Sequence, residues 1–283
     1  MALADDLLEN GFSVVRGVYG AHDVRELSHA LDRVQAQAAR HPASWRHGNL
    51  LFALRARAGR PPLLRFVHWP AEIEATLERY RTDPRQLGLL APLLGKDIKQ
   101  IANQASWKEP GELDTAFGWH QDARFRRPAH AYRDLATSYV QVFLAVDRHD
   151  EENGCLQIVR GSHRRGLLPL PVEGPVMDMA WGPEAVVALG FQPTDIVPIV
   201  LEPGDVALWL PHALHASGPN RSARERRAYV NGYVRATACD RGAWAFRDGV
   251  PCPLGTPALI QYEELFTRPE PHYVDGPFYP PPP

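Results

Sequence analysis

A chain of 283 residues, 45% apolar and 23% charged, has the balance of an ordinary globular protein long enough to bury a sizeable core. Its 31 basic and 33 acidic residues create no global field to draw in nucleic acid or an anionic membrane, so a small molecule is the expected partner. Twenty-seven prolines, against an average usage of roughly 5%, predict loops around short strands rather than long helices.

One domain, 1–283, is expected. The opening Met1–Gly11 is acidic where a secretory leader would be basic, and no apolar run approaches the roughly 18 residues of a membrane span, which predicts a cytoplasmic protein, monomer or homodimer. Cys155, Cys239 and Cys252 show no CxxC spacing, so neither a disulfide framework nor a thiolate zinc site is indicated.

Between Asp23 and Ala39 the apolar residues Val24, Leu27, Leu31 and Val34 recur at helical spacing, and a second helix is predicted over 71–81 with Ile73, Leu77 and Tyr80 on one face. Helices are expected to occupy about 20–95, outside a β-rich body. Thr137–Val146 alternates Tyr139, Gln141 and Phe143 with Val140, Val142 and Leu144, which predicts a central strand. Residues 155–159, 206–210 and 227–235 look similar, each bounded by turn residues. Residues 166–198 read as a long excursion able to cover a site, and the Pro-rich tail 252–283 as irregular.

The chemistry starts at Trp119-His120-Gln121-Asp122. In an extended segment residues i and i+2 point to one side, so His120 and Asp122 can converge on one ion, with a second histidine supplied from elsewhere. Two imidazoles and one carboxylate on one face of an octahedral ion leave the opposite positions open, which suits Fe(II). Three such ligands and a water also describe catalytic zinc, so a zinc-dependent hydrolase is one alternative. A non-catalytic cupin-like binding protein is the other.

Further on come NGCLQIVRGSHRRG (Asn153–Gly166) and HASGPNRS (His215–Ser222), followed by Arg226. Together with the opening ENGFSVVRG (Glu9–Gly17) and the HQD phrase, this ordered series resembles the phytanoyl-CoA dioxygenase family, over nearly the whole chain to about residue 236. The resemblance implies a mainly β fold with flanking helices, a double-stranded β-helix (jelly roll, cupin-like). It also implies Fe(II), 2-oxoglutarate and O₂, and oxidation of a small molecule, by default hydroxylation, with release of succinate and CO₂. A natural-product substrate is the preferred expectation.

Matched residue by residue, the family's metal ligands fall on His120, Asp122 and His215. His212 competes with His215 but stands too far ahead of the Ser-Gly-Pro-Asn phrase. The arginine that receives the distal carboxylate of 2-oxoglutarate matches Arg226, and alternation turns Arg227 away, where solvent is expected. Ser217 is placed as a hydroxyl donor to the same carboxylate, and Tyr139, Gln141, Asn103 and Trp107 as cosubstrate contacts. Lys108 flanks a turn and is expected in solvent. Asn153, Gly154 and the Gly161-Ser162-His163 phrase are read as fold signatures. Arg124, with Arg126, Arg127 and Arg133, is expected in a basic loop at the cavity mouth, and Phe143 and Trp209, with Trp119 and Phe125, in an apolar wall near the substrate.

Overall fold

The computed structural model describes residues 3–170, 176, 179–255 and 268–275. The chain runs α1 (Leu3–Asn10), β1 (Phe12–Val15), α2 (Ala21–Ala38), β2 (Trp45–His47), β3 (Leu50–Arg57), β4 (Arg60–His68), α3 (Ala75–Arg81), α4 (Pro84–Leu94), β5 (Ile98–Lys108) and β6 (Phe117–His120). It continues with α5 (Leu135–Ser138), β7 (Tyr139–Ala145), β8 (Leu156–Val159), α6 (Pro183–Ala188), β9 (Ile196–Ile199), β10 (Val206–Trp209), β11 (His215–Ser217) and β12 (Arg226–Arg235). The short β13 (Ala243–Arg247), β14 (Val250–Pro251) and β15 (His272–Tyr273) follow. Among the described residues no helix is long and apolar enough to cross a membrane.

These strands form two antiparallel sheets. The large one orders as β1-β10-β7-β12-β5-β4-β3-β2-β15, with β13 also pairing β5, and the small one as β6-β11-β8-β9. Strand parity decides what lies between them. In β7 the residues Val140, Val142 and Leu144 face α2 and pack with Leu27, Leu31 and Val34, while Phe143 and Ala145 face the small sheet and pack with Leu156 and Ile158. A strand buried on both faces explains why almost no polar residue interrupts 139–146. Each large side chain that α2 buries contributes roughly 1.5–3 kcal/mol, which holds the helix against the outer face.

Residues 20–95 are not the wholly helical layer expected from the sequence. β2, β3 and β4 extend the large sheet there, because β4 finds a partner in β5, with Phe66 opposite Ser106 and His68 opposite Gln104. Pairing with an existing sheet edge overrides the modest helix preference of the Leu, Ala and Arg residues in 50–57. The predicted helix over 71–81 also breaks. Pro70–Glu72 makes a separate 3₁₀ turn and α3 starts afresh at Ala75. Glu74 forces the restart: its carboxylate accepts from the Thr76 amide at 3.2 Å and from Arg33 of α2 at 2.9 and 2.8 Å.

Arg227 is another correction. It is buried rather than solvated, donating to Asp147 at 2.9 Å and to Asp32 of α2 at 2.7 Å, so it rivets the helix to β12. The excursion 166–198 contains α6 and part of β9, with 171–175 and 177–178 outside the described residues. Of the tail from 252, residues 256–267 and 276–283 lie outside them, and β15 pairs with β2.

Candidate metal centre

The small sheet brings the two histidines together. His215 on β11 lies directly opposite His120 at the end of β6, and their rings stand 4.1 Å apart between centroids. Beyond His120 the backbone stays extended through Gln121, so Asp122, which opens a 3₁₀ segment, points to the same side, with one carboxylate oxygen 3.9 Å from His215 Nε2. Ligand atoms of His120, Asp122 and His215 all lie within 4.8 Å of one another. His215 is buried and the other two are half-buried. His212 is not in this group; its carbonyl accepts from Gln121 at 2.6 Å.

Both imidazoles are fixed in the same way. His120 Nδ1 sits 2.7 Å from the Gly118 carbonyl and His215 Nδ1 2.9 Å from that of Ala213. A carbonyl can only accept, so each Nδ1 donates, and each Nε2 is the ring atom left to face a metal ion. Burial, helped by His215 nearby, pushes His120 down to about 3 and keeps it neutral. Burial alone would raise the Asp122 carboxyl, but His215, Arg126 and His120 together with the Trp209 hydrogen bond hold it below the usual range. A neutral imidazole at His120 and an ionised carboxylate at Asp122 are the protonation states a divalent ion requires.

Gln121, passed over in reading the sequence, is the clamp of this corner. Fully buried, it donates to the carbonyls of Gly166 and His212 and accepts from the Leu168 amide at 2.8 Å. One amide thus ties the HQD turn, the start of the excursion and the approach to His215. Arg124 adds to this by donating to the Leu168 and Leu170 carbonyls, so it anchors the excursion.

A second feature lies beside the metal ligands. Arg226, 3% exposed, donates to the Gly154 carbonyl at 2.9 Å and approaches His149 Nδ1 at 3.4 Å; its Nε has no protein partner. Lys108 is the residue opposite Arg226 in the β5/β12 ladder and is fully buried, which corrects the expectation of a solvated lysine. Its ammonium donates to Ser217 Oγ at 2.8 Å and to the Gly218 carbonyl. Burial lowers Arg226 to about 10, and burial followed by the charges of Arg226 and Arg65 pushes Lys108 well down. Two desolvated basic groups with a hydroxyl between their elements could receive a carboxylate, whose charge would favour their protonated forms.

Parity also sorts the remaining candidates. In β5 the run 104, 106, 108 faces the cavity, whereas Trp107 packs on the opposite face with α2. Asn103 lies on that face too, where its amide donates to Tyr229 and Asn231 and accepts from Ala71. Neither is brought to the metal centre. Tyr139 and Gln141 do face inward: the Tyr139 hydroxyl bonds Gln141 and accepts from Arg126 at 2.8 Å. Phe143 packs edge-on to His149, and Trp209 stands 5.1 Å from the His215 ring with its indole N–H on Asp122 at 2.9 Å. Phe125 meets the His120 ring at 6.0 Å, whereas Trp119 turns to the far side of the small sheet and packs on Val186. Arg133 pairs with Asp240 and is not at the cavity.

The glycine and asparagine read as fold signatures prove to serve the same pocket. Gly154 has φ +71°, and a Cβ there would lie 2.2 Å from the Gly218 carbonyl, so only glycine fits. Asn153 fixes the turn by bonding the Arg148 carbonyl and the Asp150 amide. Together they aim the Gly154 carbonyl at Arg226. His163 lies outside the His120, Asp122 and His215 group, and its Nε2 meets the Leu8 carbonyl.

Comparison with known proteins agrees with this architecture. Solved structures with the same fold include the non-haem α-ketoglutarate-dependent epimerase SnoN from nogalamycin biosynthesis (TM-score 0.62, 21% identity, 96% of this chain and 95% of that one). EvdO2 from Micromonospora carbonacea var. aurantiaca, solved with 2-oxoglutarate, is another (TM-score 0.61, 21% identity, 90% and 93%). Among curated relatives, the dioxygenase lolE1 of Epichloe uncinata is 33% identical over 147 residues, 52% of this chain and 50% of that protein. The peroxisomal phytanoyl-CoA dioxygenase of Rattus norvegicus is 24% identical over 245 residues, 83% of this chain and 66% of that protein. The chain spans about half the length of the first curated relatives it matches, 50% and 55%. The family model described as Phytanoyl-CoA dioxygenase (PhyH) matches residues 7–228, and the chain belongs to that family.

Proposed function

We propose that this chain is an Fe(II)/2-oxoglutarate-dependent dioxygenase that oxidises a small molecule, most simply by hydroxylation, in natural-product biosynthesis. The observation that carries this reading is the adjacency of two complementary sites: a facial set of His120, Asp122 and His215, and a buried carboxylate receptor made by Arg226, Lys108 and Ser217. A zinc hydrolase does not require the second site for its chemistry, since metal and water suffice. A dianionic 2-oxo acid needs both, one end for the metal and one for the cations.

When bound, iron with 2-oxoglutarate and O₂ supplies the oxidant that an unactivated C–H bond requires. The protein's residues do the rest. His120 and His215 offer Nε2 and Asp122 offers a carboxylate oxygen, while Arg226 and Lys108 orient the cosubstrate and Ser217, held by Lys108, adds a hydroxyl. Phe143 lines the inner wall where the substrate would lie, and Tyr139 and Gln141, hydrogen-bonded to each other on the same face of β7, stand as cosubstrate contacts. The setting in natural-product biosynthesis rests on the likeness to SnoN, an epimerase from nogalamycin biosynthesis.

Anaerobic addition of Fe(II) and 2-oxoglutarate tests the reading directly. A visible charge-transfer band from the chelate is expected, lost in H120A and weakened in R226A. Iron bound without such a band, or turnover supported by zinc alone, would overturn it.

A further inference from the structure

Trp209 was expected to touch substrate, but its indole N–H points at an iron ligand. Nε1 donates to Asp122 Oδ2 at 2.9 Å, the same oxygen that lies 3.9 Å from His215 Nε2. The ring itself stands 5.1 Å from the His215 ring at 53° and 6.1 Å from Phe143, and only 3% of the residue is exposed. The indole therefore contacts two of the three metal-ligand side chains, one by hydrogen bond and one by packing.

The backbone on both sides of the contact is fixed. Trp209 ends β10, opposite Gln141 of β7 and Phe12 of β1. Two residues on, the Pro211 carbonyl accepts from the Ala123 amide at 3.0 Å, and the His212 carbonyl accepts from Gln121. Residues 121–123 are thus tied to residues 211–212 by two bonds flanking the indole–carboxylate pair. Neither partner can drift without the other.

From this geometry we infer that Trp209 is a positioning residue for the iron centre: its N–H holds Asp122 against rotation and keeps it a one-oxygen ligand. The inference rests on the iron reading given above. A carboxylate has two equivalent oxygens and rotates about its Cβ–Cγ bond. A donor fixed on one oxygen draws charge from it and stops that rotation. A carboxylate binding through both oxygens would fill a coordination position that the cosubstrate or O₂ must use.

The test compares wild type with Trp209→Phe, which keeps a ring and removes the N–H, and with Trp209→Tyr as a second variant should the first fail to fold. Anaerobic Fe(II) titration is expected to give about tenfold weaker binding, the lower end for loss of an outer-shell partner, with a shift in energy of the Fe(II)·2-oxoglutarate charge-transfer band. Packing loss alone would lower stability without moving that band. Wild-type protein labelled with ¹⁵N-tryptophan gives a readout needing no variant: one indole N–H resonance should move on addition of Zn(II). A wild-type band combined with unchanged affinity and an unchanged band in the variants overturns the role of Trp209 alone, as does a ¹⁵N spectrum in which no indole moves with Zn(II). A wild type that binds Fe(II) and 2-oxoglutarate without any band removes the iron reading and this inference together.

Discussion

Lys108 and Arg226 carry the sharpest residue-scale expectations. Each is a cation held where water is scarce, and each gains from a carboxylate more than an exposed cation would. Lys108→Met keeps the volume and removes the charge, and about a 10- to 100-fold rise in the 2-oxoglutarate dissociation constant is expected by calorimetry, on the order of 1.4–2.8 kcal/mol. His149 gives a pH dependence. It is fully buried, its Nε2 meets the Arg227 carbonyl at 3.1 Å, and burial followed by the charge of Arg226 pushes its pKa well below the ordinary value. The unfolded chain takes up that proton near pH 6.5 while the folded one does not, so stability is present above pH 6.5 and is lost as pH falls below it, by up to about 1.4 kcal/mol per pH unit for this group. Thermal melts from pH 7 to pH 5 should show that loss, and His149→Gln should make it shallower by this one group's share, the buried His68 and His120 supplying the rest.

Gln121 and Gly154 act at the scale of elements, because each joins segments distant in sequence. Gln121→Leu keeps the bulk but leaves the Leu168 amide and two carbonyls without their partner. A cost of about 1–3 kcal/mol is expected, with faster hydrogen exchange concentrated in 166–170. Gly154→Ala puts a methyl into the Gly218 carbonyl and asks an L-residue to hold φ +71°. The turn must move, taking with it the carbonyl that receives Arg226. Its signature is therefore double, a lower melting temperature together with weaker 2-oxoglutarate binding, which distinguishes it from an ordinary strained turn.

The whole molecule is two sheets held face to face, with α2 closing the outer side of the large one. Arg227 locks that helix to β12 through Asp147 and Asp32, and it lies on the face away from the metal centre. Arg227→Met should lower stability by about 2 kcal/mol, below the full cost of a broken buried pair because Asp32 is half exposed to water. Ligand linkage runs the other way. On the proposed function, Fe(II) and 2-oxoglutarate would bind the folded state only, so at a hundred times the dissociation constant they should add about 2.7 kcal/mol, visible as a higher melting temperature that a chelator reverses.

Local pattern was enough to predict α2, the alternation of β7, the i, i+2 pairing of His120 with Asp122, and the ordered phrases that led to the family, because each depends on periods of a few residues. What local pattern could not supply was the ladder register between distant strands. Asn103 and Trp107 were placed at the cosubstrate and Lys108 in water because the parity of β5 is set by its pairing with β12, where Arg226 opposes Lys108. The strands of 45–68 were invisible for a similar reason: β4 is a strand because β5 offers it an edge. The roles of Gln121, Trp209 and Gly154 likewise arise only when segments tens of residues apart share one corner. A hydrogen bond between them has no trace in either segment alone, since the same residue types would satisfy water equally well in an unfolded chain.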